Sequence, residues 1–377
     1  MARAAAKPSL PVQFKYRLND WIQAVPAKVT KAPVASVATS PSALMCMRPR
    51  DVGRWLSTHG EPVRGPVTIK RIGFGQSNIT SLITDSDGRA WVLREPPSGP
   101  RRGNAHDVHR EAGIISALAD SSVPVPRVVG TGRTRDSVFF VMDRVAGRPL
   151  ESESDAAELS GDERRALGVQ MITTLAALHR TAPASVGLEL PSSPYLSRQL
   201  RRVSDAWLLT GSDSEHDASW RAVRSRLIDR QPAPSNPAVI MHGDYRLSNV
   251  LVDSGAITAV LDWELCTVGD PLVDLAWLLD DWRAPEDAAI SMPSPTRAGG
   301  FPTRDEMVDR YAELTGFDIA QLDYYRGFTQ WRAASLLQGV AARRRSGAMG
   351  DHGALDLDKL SASIATLLDS ACAHLKA

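Results

Sequence analysis

One stretch constrains this chain more than any other: Val239-Ile240-Met241-His242-Gly243-Asp244-Tyr245-Arg246-Leu247-Ser248-Asn249-Val250-Leu251. An apolar run, Ala238 to Met241, enters it, and another, Val250 to Val252, leaves it. A further apolar run, Ile257 to Leu261, ends at Asp262. Short apolar runs bounded by polar turn residues read as buried strands. The order strand, loop, strand, turn, strand brings Asp244, Asn249 and Asp262 to one end. Asp and Asn also cap ordinary turns. The His-Gly-Asp lead, the flanking strands and the second aspartate together argue for a site instead.

The same order of groups occurs in protein kinases, as H-R-D-x-x-x-x-N followed by a metal-binding Asp. Phosphoryl transfer needs charge on the transferred group to be neutralised, which magnesium supplies. Magnesium takes hard oxygen ligands, so Asn249 and Asp262 are the candidate metal residues. Asp244 is the candidate catalytic base, accepting the proton of the attacking hydroxyl or orienting it.

The remaining chain is read outward from that loop. Residues 1–44 are rich in Ala, Pro, Ser, Val and Lys without a sustained period, and are expected to be a disordered extension. An N-terminal lobe is expected over 45–143 and a C-terminal lobe over 144–377. A short helix is expected from Arg50 to His59 and strands at Val67–Ile69, Ile79–Thr84 and Ala90–Arg94. Between the first two lies Ile72-Gly73-Phe74-Gly75-Gln76-Ser77-Asn78. Glycines there let backbone N–H groups approach phosphate, so Gly73, Gly75, Ser77 and Asn78 are candidate nucleotide-binding residues.

Arg94 ends its strand where a kinase places lysine, and its expected partner is a helix glutamate. The segment Ala105–Leu118 fits that helix, with Glu111 near its middle. An Arg94–Glu111 pair is expected, with Arg94 reaching nucleotide phosphates through its planar fork. No lysine lies between positions 71 and 358, so arginine carries the positive charge there. Val138 to Met142 reads as a strand, and Asp143–Gly147 as the hinge between lobes. Adenine would bond backbone groups around Met142 to Val145.

The second lobe reads as mainly helical. Ser160 and Glu163 form a capping box, and Leu167, Met171, Leu175 and Leu178 recur with helical spacing. His179 ends that helix as a structural histidine. The helix Pro194–Leu209 carries Arg198, Arg201 and Arg202, a candidate anion-binding wall for the second substrate. Asp274 lies early in an apolar helix and must be hydrogen-bonded if buried. Its expected donors are backbone N–H groups of the catalytic loop, so Asp274 and His242 are assigned structural support.

Composition narrows the classes. A formal net charge of +1 favours neither a nucleic-acid nor a membrane-surface partner. No apolar run reaches the roughly 18 residues of a membrane helix. Three cysteines without metal spacing suggest a reducing cytoplasm.

These residues resemble the aminoglycoside phosphotransferase and choline kinase superfamily. Within it the chain is similar to the kinase-like domain that precedes the dehydrogenase domain of some acyl-CoA dehydrogenases. The likeness is carried by Gly75-Gln76-Ser77-Asn78, Trp91-Val92-Leu93-Arg94, Ala105 to Glu111, Arg198-Gln199-Leu200, His242 to Asn249, Leu261-Asp262-Trp263-Glu264, Gly269-Asp270-Pro271, Gly300 to Arg304 and Leu337-Gln338-Gly339-Val340. Phe74 stands where a glycine is usual and Ser248 where an aspartate is common; neither removes a catalytic group.

The resemblance implies an α+β, two-lobed protein-kinase-like fold, with a small β-rich N-lobe and a larger helical C-lobe. It implies ATP and Mg2+ as cofactors, a small-molecule acceptor, and a hydroxyacyl-CoA as that acceptor. Arg198, Arg201, Arg202 or the pair Arg101-Arg102 would then meet coenzyme A phosphates. The alternatives are an aminoglycoside- or choline-type kinase, a non-catalytic nucleotide-binding module, and a flavin-dependent dehydrogenase. No stretch matches the dehydrogenase part.

Overall fold

The computed structural model describes residues 47–72, 78–96, 107–134, 137–346 and 356–376. The expected extension 1–44, the phosphate-loop residues Gly73, Phe74, Gly75 and Ser77, and the Arg101-Arg102 pair lie outside them.

A five-stranded antiparallel sheet comes first. Its strands are β1 (Thr68–Arg71), β2 (Ile79–Thr84), β3 (Ala90–Glu95), β4 (Val128–Arg133) and β5 (Val138–Asp143), in the order β1-β2-β3-β5-β4. Side chains alternate across a strand, and here both faces are covered. Trp91, Leu93, Phe139 and Val141 join Val52 and Leu56 of helix α1 (Pro49–Thr58) in one cluster. Val92, Phe140 and Met142 face the other way, towards Val108, Ala112 and Ile115 of helix α2 (Val108–Leu118). Two-sided burial explains why β3 and β5 read as continuous apolar runs rather than alternating ones. It also turns Arg94 to the α2 side.

Helix α2 is capped by the Asp107 side chain, which accepts from the Arg110 N–H. Glu111 consequently lies in its first turn, not near the middle as the pattern suggested. A carboxylate there is favoured by the helix dipole, and it is delivered to the sheet end where Arg94 emerges.

After β5 the chain crosses to the helical part. Arg148 and Val252 exchange backbone hydrogen bonds of 3.0 and 2.9 Å, anchoring the crossing on β7 (Val250–Asp253). Gly147 has φ +109°, and a Cβ there would sit 2.8 Å from the Val252 carbonyl oxygen. Only glycine fits this approach.

The helical part holds α3 (Glu153–Ala157), α4 (Gly161–Arg180), α5 (Tyr195–Thr210), α6 (Asp217–Asp229), α7 (Pro271–Asp281), α8 (Arg304–Thr315), α9 (Leu322–Arg345) and α10 (Leu357–His374). The Ser160–Glu163 capping box opens α4 as read from sequence. Helix α9 is buried on all sides from Tyr324 to Ala341, apart from Arg326. Trp331 continues a stack of Trp207 and Trp220, with centroids 4.6 and 4.8 Å apart.

Two small antiparallel pairs frame the central loop. β6 (Val239–Met241) pairs with β9 (Thr267–Gly269), and β7 pairs with β8 (Ala256–Val260). Strand β9 was not legible in the sequence: three residues carry no period, and its partner lies far off in the chain.

Candidate active site

The loop between β6 and β7 is fixed by α7. Asp274, fully buried, accepts the His242 N–H at 2.6 Å and the Gly243 N–H at 2.9 Å. These are the donors expected from sequence. His179 Nε2 lies 3.5 Å from the same carboxylate, and its Nδ1 is 2.6 Å from the Tyr311 hydroxyl. Burial pushes the Asp274 pKa up, but the His179 hydrogen bond, the nearby imidazoles and the Gly243 N–H outweigh it and leave it lowered. Gly243 adopts φ +86°, and a Cβ would lie 2.9 Å from the Leu265 carbonyl oxygen.

His242 ties the loop to the strand end that carries Asp262. Its Nδ1 accepts the Asp244 N–H at 3.2 Å, which assigns the ring proton to Nε2, 2.8 Å from the Leu261 carbonyl oxygen. The ring packs against Trp263, centroids 4.8 Å apart.

Asp244 is held from two sides. Trp277 Nε1 donates to its Oδ1 at 2.8 Å, and Asn249 Nδ2 donates to its Oδ2 at 2.8 Å. The same Asn249 nitrogen also reaches the Asp244 backbone oxygen. Burial is the largest influence on Asp244 and raises its pKa; the charge of Asp262 adds to this, and Arg246, His242 and Asn249 oppose it without cancelling it. Trp277 was missed from sequence, where it reads as one more apolar residue of α7.

Asp262 sits at φ +69°, ψ +54°, a left-handed conformation that non-glycine residues seldom adopt. Such strain tends to persist where function requires a side chain to be aimed. Its Oδ1 accepts from Arg94 Nη2 at 2.6 Å. Arg94 Nε reaches Glu111 Oε2 at 3.1 Å, as expected, and Nη1 reaches Thr80 Oγ1 at 3.0 Å. Glu264 Oε2 lies 3.6 Å from Arg94 Nη2. One buried guanidinium thus faces three buried carboxylates. Burial works to lower the Arg94 pKa, but the charges of Glu111, Asp262 and Glu264 raise it well above its ordinary value.

Each Arg94 nitrogen has a protein partner in this cluster. Asn78 Nδ2 donates to Glu111 Oε2 at 3.3 Å and Glu264 Oε2 at 3.2 Å. Glu264 was not foreseen as a site residue; its place two residues after Asp262 was the available signal.

The arginines Arg198, Arg201 and Arg202 all lie on α5. Arg198 donates to the Ser193 carbonyl and lies over the Tyr195 ring, 5.8 Å from its centroid. Arg202 shares that face one turn on, with Arg201 beside it, and both are exposed. Met142 is buried, and the register places it between β3 and β4. Val145 lies beyond the sheet and makes no backbone hydrogen bond among the described residues.

The chain is similar to several known proteins. The profile of the phosphotransferase enzyme family matches residues 68–344. Acyl-CoA dehydrogenase family member 11 of Gallus gallus is 31% identical over 302 residues, covering 74% of this chain and 37% of the relative. Acyl-CoA dehydrogenase family member 10 of Mus musculus is 30% identical over 327 residues, covering 83% and 30% respectively. The chain therefore spans about a third of the length of these relatives. A solved structure from Ralstonia eutropha, described as an aminoglycoside phosphotransferase, aligns with a TM-score of 0.70 at 26% identity, covering 87% of this chain and 98% of that one. A thermostable mutant of aminoglycoside phosphotransferase APH(4)-Ia, in ternary complex with AMP-PNP and hygromycin B, shares the fold with a TM-score of 0.57 at 18% identity, covering 86% and 98%. With its kinase-like α+β architecture and a profile match over most of its length, this chain belongs to the phosphotransferase enzyme family.

Proposed function

We propose that this protein transfers the γ-phosphoryl group of ATP to a hydroxyl of a small acceptor, with Asp244 as the catalytic base. The observation that carries this reading is the Asp244 carboxylate, buried and held at both oxygens by Trp277 and Asn249. A base fixed in this way keeps its lone pairs aimed, and burial raises its affinity for the proton it must accept.

The donor set fits magnesium. Asn249 uses its amide nitrogen on Asp244, which leaves the amide oxygen as the atom for a metal, and Asp262 supplies a carboxylate. Bound magnesium would neutralise phosphate charge. Glu111 and Asp262 orient Arg94, which reaches the nucleotide phosphates only after leaving Asp262. The free backbone groups of Val145 suit the edge of the adenine base. We take the lobe boundary at 143/144, at the end of β5.

For the acceptor we propose a hydroxyacyl-CoA, phosphorylated on the acyl-chain hydroxyl. Support comes from the acyl-CoA dehydrogenase names of the relatives and from the basic face of α5. Phosphorylation would convert a poor leaving group into a good one. The test is incubation with ATP, magnesium and hydroxyacyl-CoAs of different hydroxyl position, beside an aminoglycoside and choline. Mass spectrometry should show phosphate added to an acyl-CoA. Efficient phosphorylation of the aminoglycoside or choline alone would refute this acceptor.

A further inference from the structure

Helix α9 carries a buried guanidinium that the chemistry above does not use. Arg332 is 2% exposed. Its Nη2 donates to the Gly243 carbonyl at 3.3 Å, and its guanidinium lies over the Trp277 ring, 5.1 Å from the centroid. Trp277 in turn holds Asp244, so Arg332 and the catalytic carboxylate stand one indole ring apart. The Nε and Nη1 atoms of Arg332 are shielded from solvent and have no hydrogen-bond partner. A buried cation with open donors is unfavourable until an acceptor completes it.

Helix α5 packs against α9 and carries a second cation, Arg202, on the face it shares with Tyr195 and Arg198. Arg202 makes neither hydrogen bond nor ion pair among the described residues. Its side chain is exposed; partial desolvation and then repulsion by Arg332 lower its pKa. Tyr195 is on the same face of α5 as Arg198 and Arg202: its phenol is buried, which raises its pKa, and Arg332, Arg202 and Arg198 all act on it. Its hydroxyl makes no hydrogen bond among the described residues. Asp274, the carboxylate that also acts on Tyr195, is already filled by the N–H groups of His242 and Gly243. Positive charge is therefore left uncompensated here, whereas the Arg94 cluster has carboxylates in excess.

We propose that Arg332, Arg202 and the Tyr195 hydroxyl form an anion-binding subsite on the acceptor side of Asp244. It takes a carboxylate or phosphate group of the acceptor, and it rests on the phosphotransfer reading given above. Arginine suits such oxyanions because its fork donates two parallel bonds. The subsite would also reject polycationic acceptors by like-charge repulsion.

The first experiment measures binding of inorganic phosphate to the full chain saturated with magnesium and AMP-PNP, so that the nucleotide position is filled. Wild type should bind one phosphate. R202Q and R332Q should weaken it at least roughly tenfold, the loss of one charge-assisted bond, and R332K should restore part. Because Arg332 is buried and R332Q risks misfolding, the exposed R202Q decides alone if necessary. No phosphate binding by wild type, or equal binding by R202Q, would overturn the subsite. The second experiment compares KM for a free hydroxy acid, its coenzyme A thioester and its neutral pantetheine thioester. A carboxylate source predicts that only the free acid loses KM in R202Q; a phosphate source predicts that only the coenzyme A ester does. Acceptor KM values indifferent to R202Q, alongside normal phosphorylation, would sink the subsite and leave phosphotransfer standing. Arginine-dependent phosphate binding without phosphorylation of any acceptor would do the reverse.

Discussion

Replacing Asp274 with asparagine tests how the catalytic loop is held. The wild-type carboxylate accepts two backbone N–H groups, at 2.6 and 2.9 Å, in a site closed to solvent. Asparagine keeps one acceptor oxygen and turns an NH2 group towards the other N–H. A buried donor left without a partner costs about 1–3 kcal/mol, and the surviving bond loses its charge assistance, about 1 kcal/mol more. Removing a buried charge offsets little, because the lowered pKa of Asp274 means that the folded protein favours the ionised form. A loss of about 2–4 kcal/mol is therefore expected, a large share of the roughly 5–15 kcal/mol typical of a folded protein. Chemical denaturation followed by circular dichroism should show a lower midpoint at unchanged slope. Turnover should fall as well, since Gly243 positions Asp244. A change under about 0.5 kcal/mol, typical of neutral surface substitutions, would refute the reasoning.

The same carboxylate gives an acid-side stability prediction. With its folded pKa below the unfolded value of about 3.9, its contribution is fully present above that value and is lost as pH falls through the folded one; in D274N the decline of the melting temperature below about pH 4 should be shallower. D244N should lower turnover at least roughly 100-fold, the low end for a lost base, while calorimetry shows magnesium-nucleotide binding retained. R94A leaves Glu111, Asp262 and Glu264 facing one another without their cation, so the melting temperature should drop sharply, consistent with about 3–5 kcal/mol for a broken buried pair. R94K should recover part of the stability and part of the nucleotide KM, and identical behaviour of R94A and wild type would show that the cluster does not matter.

Much of the site was legible because its signals are local. Asp244, Asn249 and Asp262 are spaced by short strands whose apolar runs are visible in the chain. The Ser160–Glu163 capping box depends on residues within one helical turn. Asp274 could be assigned donors in advance because a carboxylate in an apolar helix needs them, and the glycine-containing loop was the nearest source. The Arg94–Glu111 pair followed from a strand end and a helix read over Ala105–Leu118, set in the kinase order of groups.

What the sequence could not determine are contacts between segments remote in the chain. Arg94 and Asp262 are 168 positions apart, and no pattern says that they touch. Trp277 and Arg332 look like ordinary members of two helices. Helix α9 is buried almost all round, so it has no polar face to reveal which residues turn towards Asp244. Asn78 was read as a phosphate ligand because its own loop suggests it, and only packing against α2 and the turn after Asp262 gives its amide the carboxylates of Glu111 and Glu264. Residue type and spacing determined which chemistry this chain can carry. Burial and charge compensation decided which group faces which, because those energies exist only once distant segments share a core.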